Sequence, residues 1–199
     1  ATFGTGINID DEYIYLTGTG TSYIDGNLYP NRFFLRTNLH GEMQLIKFLS
    51  SDIFNSWHGR YSGGLEFLPD STLVVSGYYS KYDTLFPPGN TQHIGALYRY
   101  NKLGDTINTN LFEGNSYTEF FRLAVYNDNI FIGGFTTDTF YNGLFGYLIH
   151  TDSIGSLFWE SKLGDGLHDE ITGLVDINDE GNLISGGAID VSGSDLFSL

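Results

Sequence analysis

Apolar residues in this chain cluster in short runs, and four of those runs end the same way. Ile14-Tyr15-Leu16-Thr17-Gly18, Leu73-Val74-Val75-Ser76-Gly77, Ile130-Phe131-Ile132-Gly133-Gly134 and Leu183-Ile184-Ser185-Gly186-Gly187 each close on a small residue followed by glycine. Aligned on that last glycine the copies are 59, 57 and 53 residues apart, the spacing of a repeated β unit and too long for a helical hairpin. Each run is too short for a helix and is apolar at successive positions, as a strand is when both faces of its sheet are covered.

Polar clusters punctuate the runs at matching places. Asp10-Asp11-Glu12, Pro69-Asp70-Ser71, Asn127-Asp128-Asn129 and Asn178-Asp179-Glu180-Gly181-Asn182 precede the four runs and are rich in residues that bond their own backbone or accept positive φ, so each predicts a hairpin. A third run follows a loop of variable length: Arg32–Thr37, Gly95–Tyr100, Leu144–Ile149 and Asp195–Leu199. Three copies then turn at Leu39-His40-Gly41-Glu42, Lys102-Leu103-Gly104-Asp105 and Ser153-Ile154-Gly155-Ser156 into a fourth strand, such as Leu157–Lys162.

The pattern predicts an all-β chain, a β-propeller segment of four-stranded antiparallel blades in about 3.75 repeats, with copies near 1–50, 51–113, 114–164 and an incomplete 165–199. A two-sheet sandwich would wet one face of each sheet and alternate more cleanly. Because the fourth copy stops within its third strand, the expectation is a window on a larger propeller. Gly18, Gly77, Gly134 and Gly187 are expected where adjacent blades or strands approach closely, since a side chain there would clash as the wedges converge.

Composition narrows the partners. Twenty-four acidic against nine basic residues give a net charge of −15, which repels a phosphate backbone and argues against nucleic acid. No apolar run approaches the length of a membrane helix, and with no cysteine disulfides and thiolate metal sites are excluded.

The stretch from Gly155 through Trp159 and Gly164 to Asp169-Glu170, followed by Asp179-Glu180-Gly181-Asn182 and Leu183–Gly187, resembles the repeat of large secreted β-propeller proteins of Bacteroidota, many of them type IX secretion substrates. The resemblance implies an extracellular or cell-surface location. It also implies partners among the remaining blades or domains of a longer chain, envelope or secretion-machinery proteins, or surface glycans.

Candidate chemistry is sparse. Asp176, Asn178 and Glu180 open like a calcium loop, but position twelve is Gly187, so the bidentate acid is missing; a plain turn is the first reading and calcium the alternative. No other cofactor is expected. Trp159 is expected to pack between blades. The five histidines fall at no metal-ligand spacing, and His168-Asp169-Glu170 reads as a loop-ordering cluster. Tyr23, Asp25, Tyr82, Asp83, Asp138 and Tyr141 lie in the loops after the glycine runs, where tyrosines beside carboxylates suit a glycan or peptide. The reading is a non-catalytic propeller scaffold or recognition module of an exported or cell-surface bacterial protein. The alternative is the propeller part of an extracellular polysaccharide-processing enzyme, which would need two carboxylates about 5 to 9.5 Å apart.

Overall fold

The computed structural model describes residues 2–24, 27–49, 57–82, 91–112, 117–137, 144–164, 169–178, 180–190 and 196–198. Every element among them is a strand. Sheet 1 contains β1 (Thr2–Ile9), β2 (Tyr13–Ile24), β3 (Asn27–Asn38) and β4 (Met43–Leu49). Sheet 2 contains β5 (Trp57–Phe67), β6 (Leu73–Tyr82), β7 (Thr91–Tyr100) and β8 (Thr106–Phe112). Sheet 3 contains β9 (Thr118–Tyr126), β10 (Asn129–Thr137), β11 (Leu144–Asp152) and β12 (Leu157–Leu163). Sheet 4 has β13 (Asp169–Ile177), β14 (Leu183–Asp190) and β15 (Leu196–Ser198). Each sheet is an antiparallel meander in chain order. The four glycine-ended runs lie in the second strands of four separate sheets and do not pair with one another.

The sheets are built to one register. Opposite the second strand, Ile7 pairs with Leu16, Leu65 with Val75, Leu123 with Ile132 and Val175 with Ser185. The first strand of each sheet then carries an irregularity near the same place, at Gly4/Gly6, around Gly63, opposite Gly133/Gly134 and at Thr172/Leu174. The outer hairpins repeat as well. Arg36 pairs with Leu45, Arg99 with Asn108 and His150 with Trp159, and each pair is followed by a one-residue bulge. Bulges sharpen local twist, so their recurrence gives successive sheets the same shape.

Alternation along the second strands sends neighbouring side chains to opposite seams. Tyr15 and Phe34 of sheet 1 cluster with Leu65, Leu73, Val75, Ala96, Tyr98 and Tyr100 of sheet 2. Val74, Leu97 and Leu68 point the other way, into a cluster with Phe120, Leu123, Ile130, Ile132, Tyr147 and Ile149 of sheet 3. A smaller group, Ala124 and Leu148 with Val175 of sheet 4, holds the third seam, joined by Phe131, Ile177 and Leu183. The runs are apolar at successive positions because sheets 2 and 3 are covered on both faces.

At Gly134 the expected close approach is one between strands: a Cβ there would lie 1.9 Å from the carbonyl oxygen of Glu119, on the adjacent strand of the same sheet, at the bulge. The backbone approach between sheets occurs instead at Gly63, where a Cβ would be 1.7 Å from the Phe121 carbonyl oxygen. Only glycine leaves β5 and β9 that close.

Candidate functional site

Polar chemistry among the described residues concentrates along the seams. The turns closing the outer hairpins share one design: Asn38 Oδ1 accepts from the His40 and Glu42 amides, Asn101 Oδ1 from Leu103 and Asp105, and Asp152 Oδ1 from Ile154 and Ser156, at 2.7–3.0 Å. Glycine at positive φ completes each, at Gly41, Gly104 and Gly155, where a Cβ would be strained.

Two of these turns are gripped by the preceding sheet. Arg36 Nη1 donates to the Lys102 carbonyl at 3.1 Å, and the equivalent Arg99 donates to the Ser153 carbonyl at 3.1 Å. Asn108 adds a bond to the Ile154 carbonyl at 3.1 Å. Gly104 sits against Phe34, and Gly155 against Asn110. Lys102 reaches back to Asp10 Oδ2 at 2.6 Å, while Lys47 pairs with Asp105. Asp10 also accepts from the amides of Glu12 and Tyr13 and from the Tyr15 hydroxyl, at 2.8–2.9 Å. Burial works to raise its pKa, but the bonds from Lys102 and these donors outweigh it and hold the carboxyl well below the usual carboxylate range. Tyr15, buried and bonded to that carboxylate, is correspondingly pushed above the ordinary phenol range. At the second seam His93 Nδ1 meets Glu119 Oε1 at 2.6 Å, with the imidazole stacked between Tyr78 and Tyr117 at 4.5 and 4.0 Å.

A cavity of about 490 Å³ lies between the first strands of sheets 1 and 2, lined by Gly4, Thr5, Gly6, Ile7, Leu16, Gly64, Leu65, Glu66 and Arg122. Glu66 is the carboxylate in that lining. Its pKa is raised, first by burial and then by the charge of Asp176, against a lowering bond from Asn8 that measures 2.9 Å. Pairing opposite Tyr15, Val74 and Ile184 places Asn8, Glu66 and Asp176 at one equivalent position of successive first strands, with Ala124 there in sheet 3. Asp176 is not in the lining, so the cavity holds a lone half-buried acid with an arginine at its edge.

No family model matches the chain, and no curated protein matches it. Among solved structures it is similar to Pyrococcus horikoshii acylaminoacyl peptidase in an orthorhombic crystal form, at 11% identity and a TM-score of 0.38, over 100% of this chain. The chain spans 39% of the length of that peptidase chain. A likeness at that score carries no argument.

Of the loop residues singled out in the sequence, two lie among the described residues. Asp25, Asp83, Asp138 and Tyr141 lie outside the described residues. Tyr23 pairs with Leu28 near the end of the β2–β3 hairpin, and Tyr82 with Thr91 at the end of β6–β7. The calcium-like segment is spent on its own turn: Asn178 Oδ1 accepts from the Glu180 and Asn182 amides at 3.1 and 2.8 Å, Asp176 Oδ1 from the Ile177 amide, and Glu180 Oε2 from Asn182. Trp159 is 39% exposed and lies edge-on to His150 at 5.6 Å. Missed in the sequence were Gly63-Gly64 and the Asn8, Glu66 and Asp176 position; alignment of the copies on strand one, instead of strand two, exposes both.

Proposed function

We infer that this chain is a segment of a β-propeller and acts as a non-catalytic scaffold or recognition module of an exported or cell-surface bacterial protein. One observation carries the reading: at the first two seams a half-buried arginine fastens one sheet to the next, in a grip repeated at Arg36 and Arg99. Sheets that fold as chain-ordered meanders and stack through their faces suit a propeller, in which first strands line a common axis. Tyr23, Asp25, Tyr82, Asp83, Asp138 and Tyr141, in the segments that follow the glycine-ended runs, would offer rings and carboxylates to surface glycans or envelope proteins. Location at the cell surface rests on the sequence resemblance of residues 155–187.

The enzymatic alternative is favoured by Glu66, a half-buried acid of raised pKa in a cavity, the environment in which general acids occur. Fluorogenic glycoside and peptide substrates separate the two. The scaffold reading expects no turnover above buffer; turnover abolished by Glu66→Gln would replace it with the enzymatic one.

A further inference from the structure

The outward face of sheet 1 repeats the face by which sheet 2 docks. Ile7, Leu16, Leu35 and Ile46 stand opposite one another across its four strands. The equivalent row of sheet 2 is Leu65, Val75, Tyr98 and Thr109, of which the first three are buried against sheet 1 or within sheet 2. On sheet 1 the row is open: Ile7 is 62% and Ile46 42% exposed, and beside it Ile9 is 55% and Phe48 63% exposed. The outer strand is also more apolar than the repeat requires. Where sheets 2 and 3 place Thr109 and Glu160, sheet 1 has Ile46, and where they place Leu111 and Lys162 it has Phe48. Contiguous exposed apolar surface of this kind marks an interface.

The opposite end of the stack presents the matching half. Tyr15, Val74 and Phe131 are the second-strand residues that each sheet turns toward the next, and the fourth member of that series, Ile184, is 48% exposed. At the first seam Tyr15 packs edge-on against Phe67 at 5.3 Å, and Phe67 and Ile9 hold the same place, opposite Leu73 and Ile14 respectively. The hairpin turn of sheet 1 is likewise unseated. Gly41 has nothing within 4 Å of a Cβ, whereas its counterparts Gly104 and Gly155 are packed.

We propose that the occupant of the sheet 1 face is sheet 4 of a second copy of this chain, docked head to tail so that Ile184 of one copy lies on Ile9 of the next. The contact continues the seam already made three times within the chain, and it is heterologous, so copies close a ring or extend as a filament. It stands on the sheet repeat alone and not on the scaffold reading. Like charge opposes the approach, since each copy carries −15, and salt should therefore strengthen association.

The chain has no cysteine, which permits a direct test. Ile9→Cys and Ile184→Cys, each a single variant at an exposed site, are mixed under mild oxidation at moderate salt. The mixed disulfide, joining position 9 of one variant to position 184 of the other, is expected well above the statistical half of all cross-linked pairs. Light scattering of the unmodified chain should show mass rising with concentration and salt, and Ile46→Asp should return it to a monomer with its circular dichroism intact. Statistical or same-site cross-links would overturn the proposal, as would a monomer at all concentrations; the latter assigns the face to another part of the same polypeptide.

Discussion

The first and third seams use the same strand positions with unequal means. At the first, Tyr15 and Phe34 are fully buried against Tyr98 and Tyr100, Arg32 lies over the Tyr98 ring at 4.3 Å, and Lys102, Asp10, Arg36 and Asp105 tie the outer turn down. At the third, the buried set among the described residues is Ala124, Leu148 and Val175, and the place of Arg36 and Arg99 is taken by His150, which stacks on Phe131 at 4.3 Å. Burial lowers the His150 pKa, so the imidazole favours its neutral form and stacks within its own sheet where the other two sheets carry a guanidinium. The two seams thus differ at two positions, one on the second strand and one on the third, of a shared backbone plan.

Truncations should expose the inequality most strongly. Phe34→Ala removes a fully buried ring from the first seam and should cost about 3–5 kcal/mol, whereas Phe131→Ala, at the partly buried third seam, should cost clearly less; chemical denaturation of both variants measures the gap. Equal losses would mean that sheet 4 is held as firmly as sheet 2.

Next in size is the backbone approach at the second seam. Gly63→Val should destabilise by about 1–3 kcal/mol or somewhat more, because the new Cβ meets the Phe121 carbonyl, while Gly4→Ala, with nothing within 4 Å, should leave the melting temperature nearly unchanged.

Acid should loosen the first seam. Asp10 has a folded pKa below its unfolded value, so its contribution is present above the ordinary carboxylate pKa of about 3.9 and is lost as pH falls through the depressed one. A stability profile of Asp10→Asn should be lower than wild type at neutral pH and converge with it in strong acid. Glu66 has the opposite sign. Its raised pKa means that stability is lost as pH rises from the unfolded value through the folded one. Glu66→Gln, which keeps an oxygen for Asn8, should raise the melting temperature slightly at neutral pH and not below the carboxylate range.

The sequence made the strand order legible because turn residues and glycine-ended runs recur: Asn38, Asn101 and Asp152 each bond two amides of their own turn, a local interaction that leaves a local signature. The all-β class and the antiparallel four-stranded sheets follow from that. Seam chemistry was less visible, because Arg36 meets a carbonyl 66 residues away and Lys102 a carboxylate 92 residues away, and nothing in a short window announces either partner. Gly63 and Gly134 look alike as letters; one faces a neighbouring sheet and the other a bulge in its own. A large ring likewise predicts burial at Trp159, which the structure leaves 39% exposed.

The chain-ordered meander also sets a schedule. Every sheet is complete within its own stretch of sequence, and every seam joins neighbours in the chain, so contacts form over modest separations and in the order of synthesis. Sheet 1 can close its hairpins before sheet 2 has left the ribosome, and sheet 2 is then laid onto a finished template. The cost is that Tyr15 and Phe34 of sheet 1 stand in water until their covers in sheet 2 arrive.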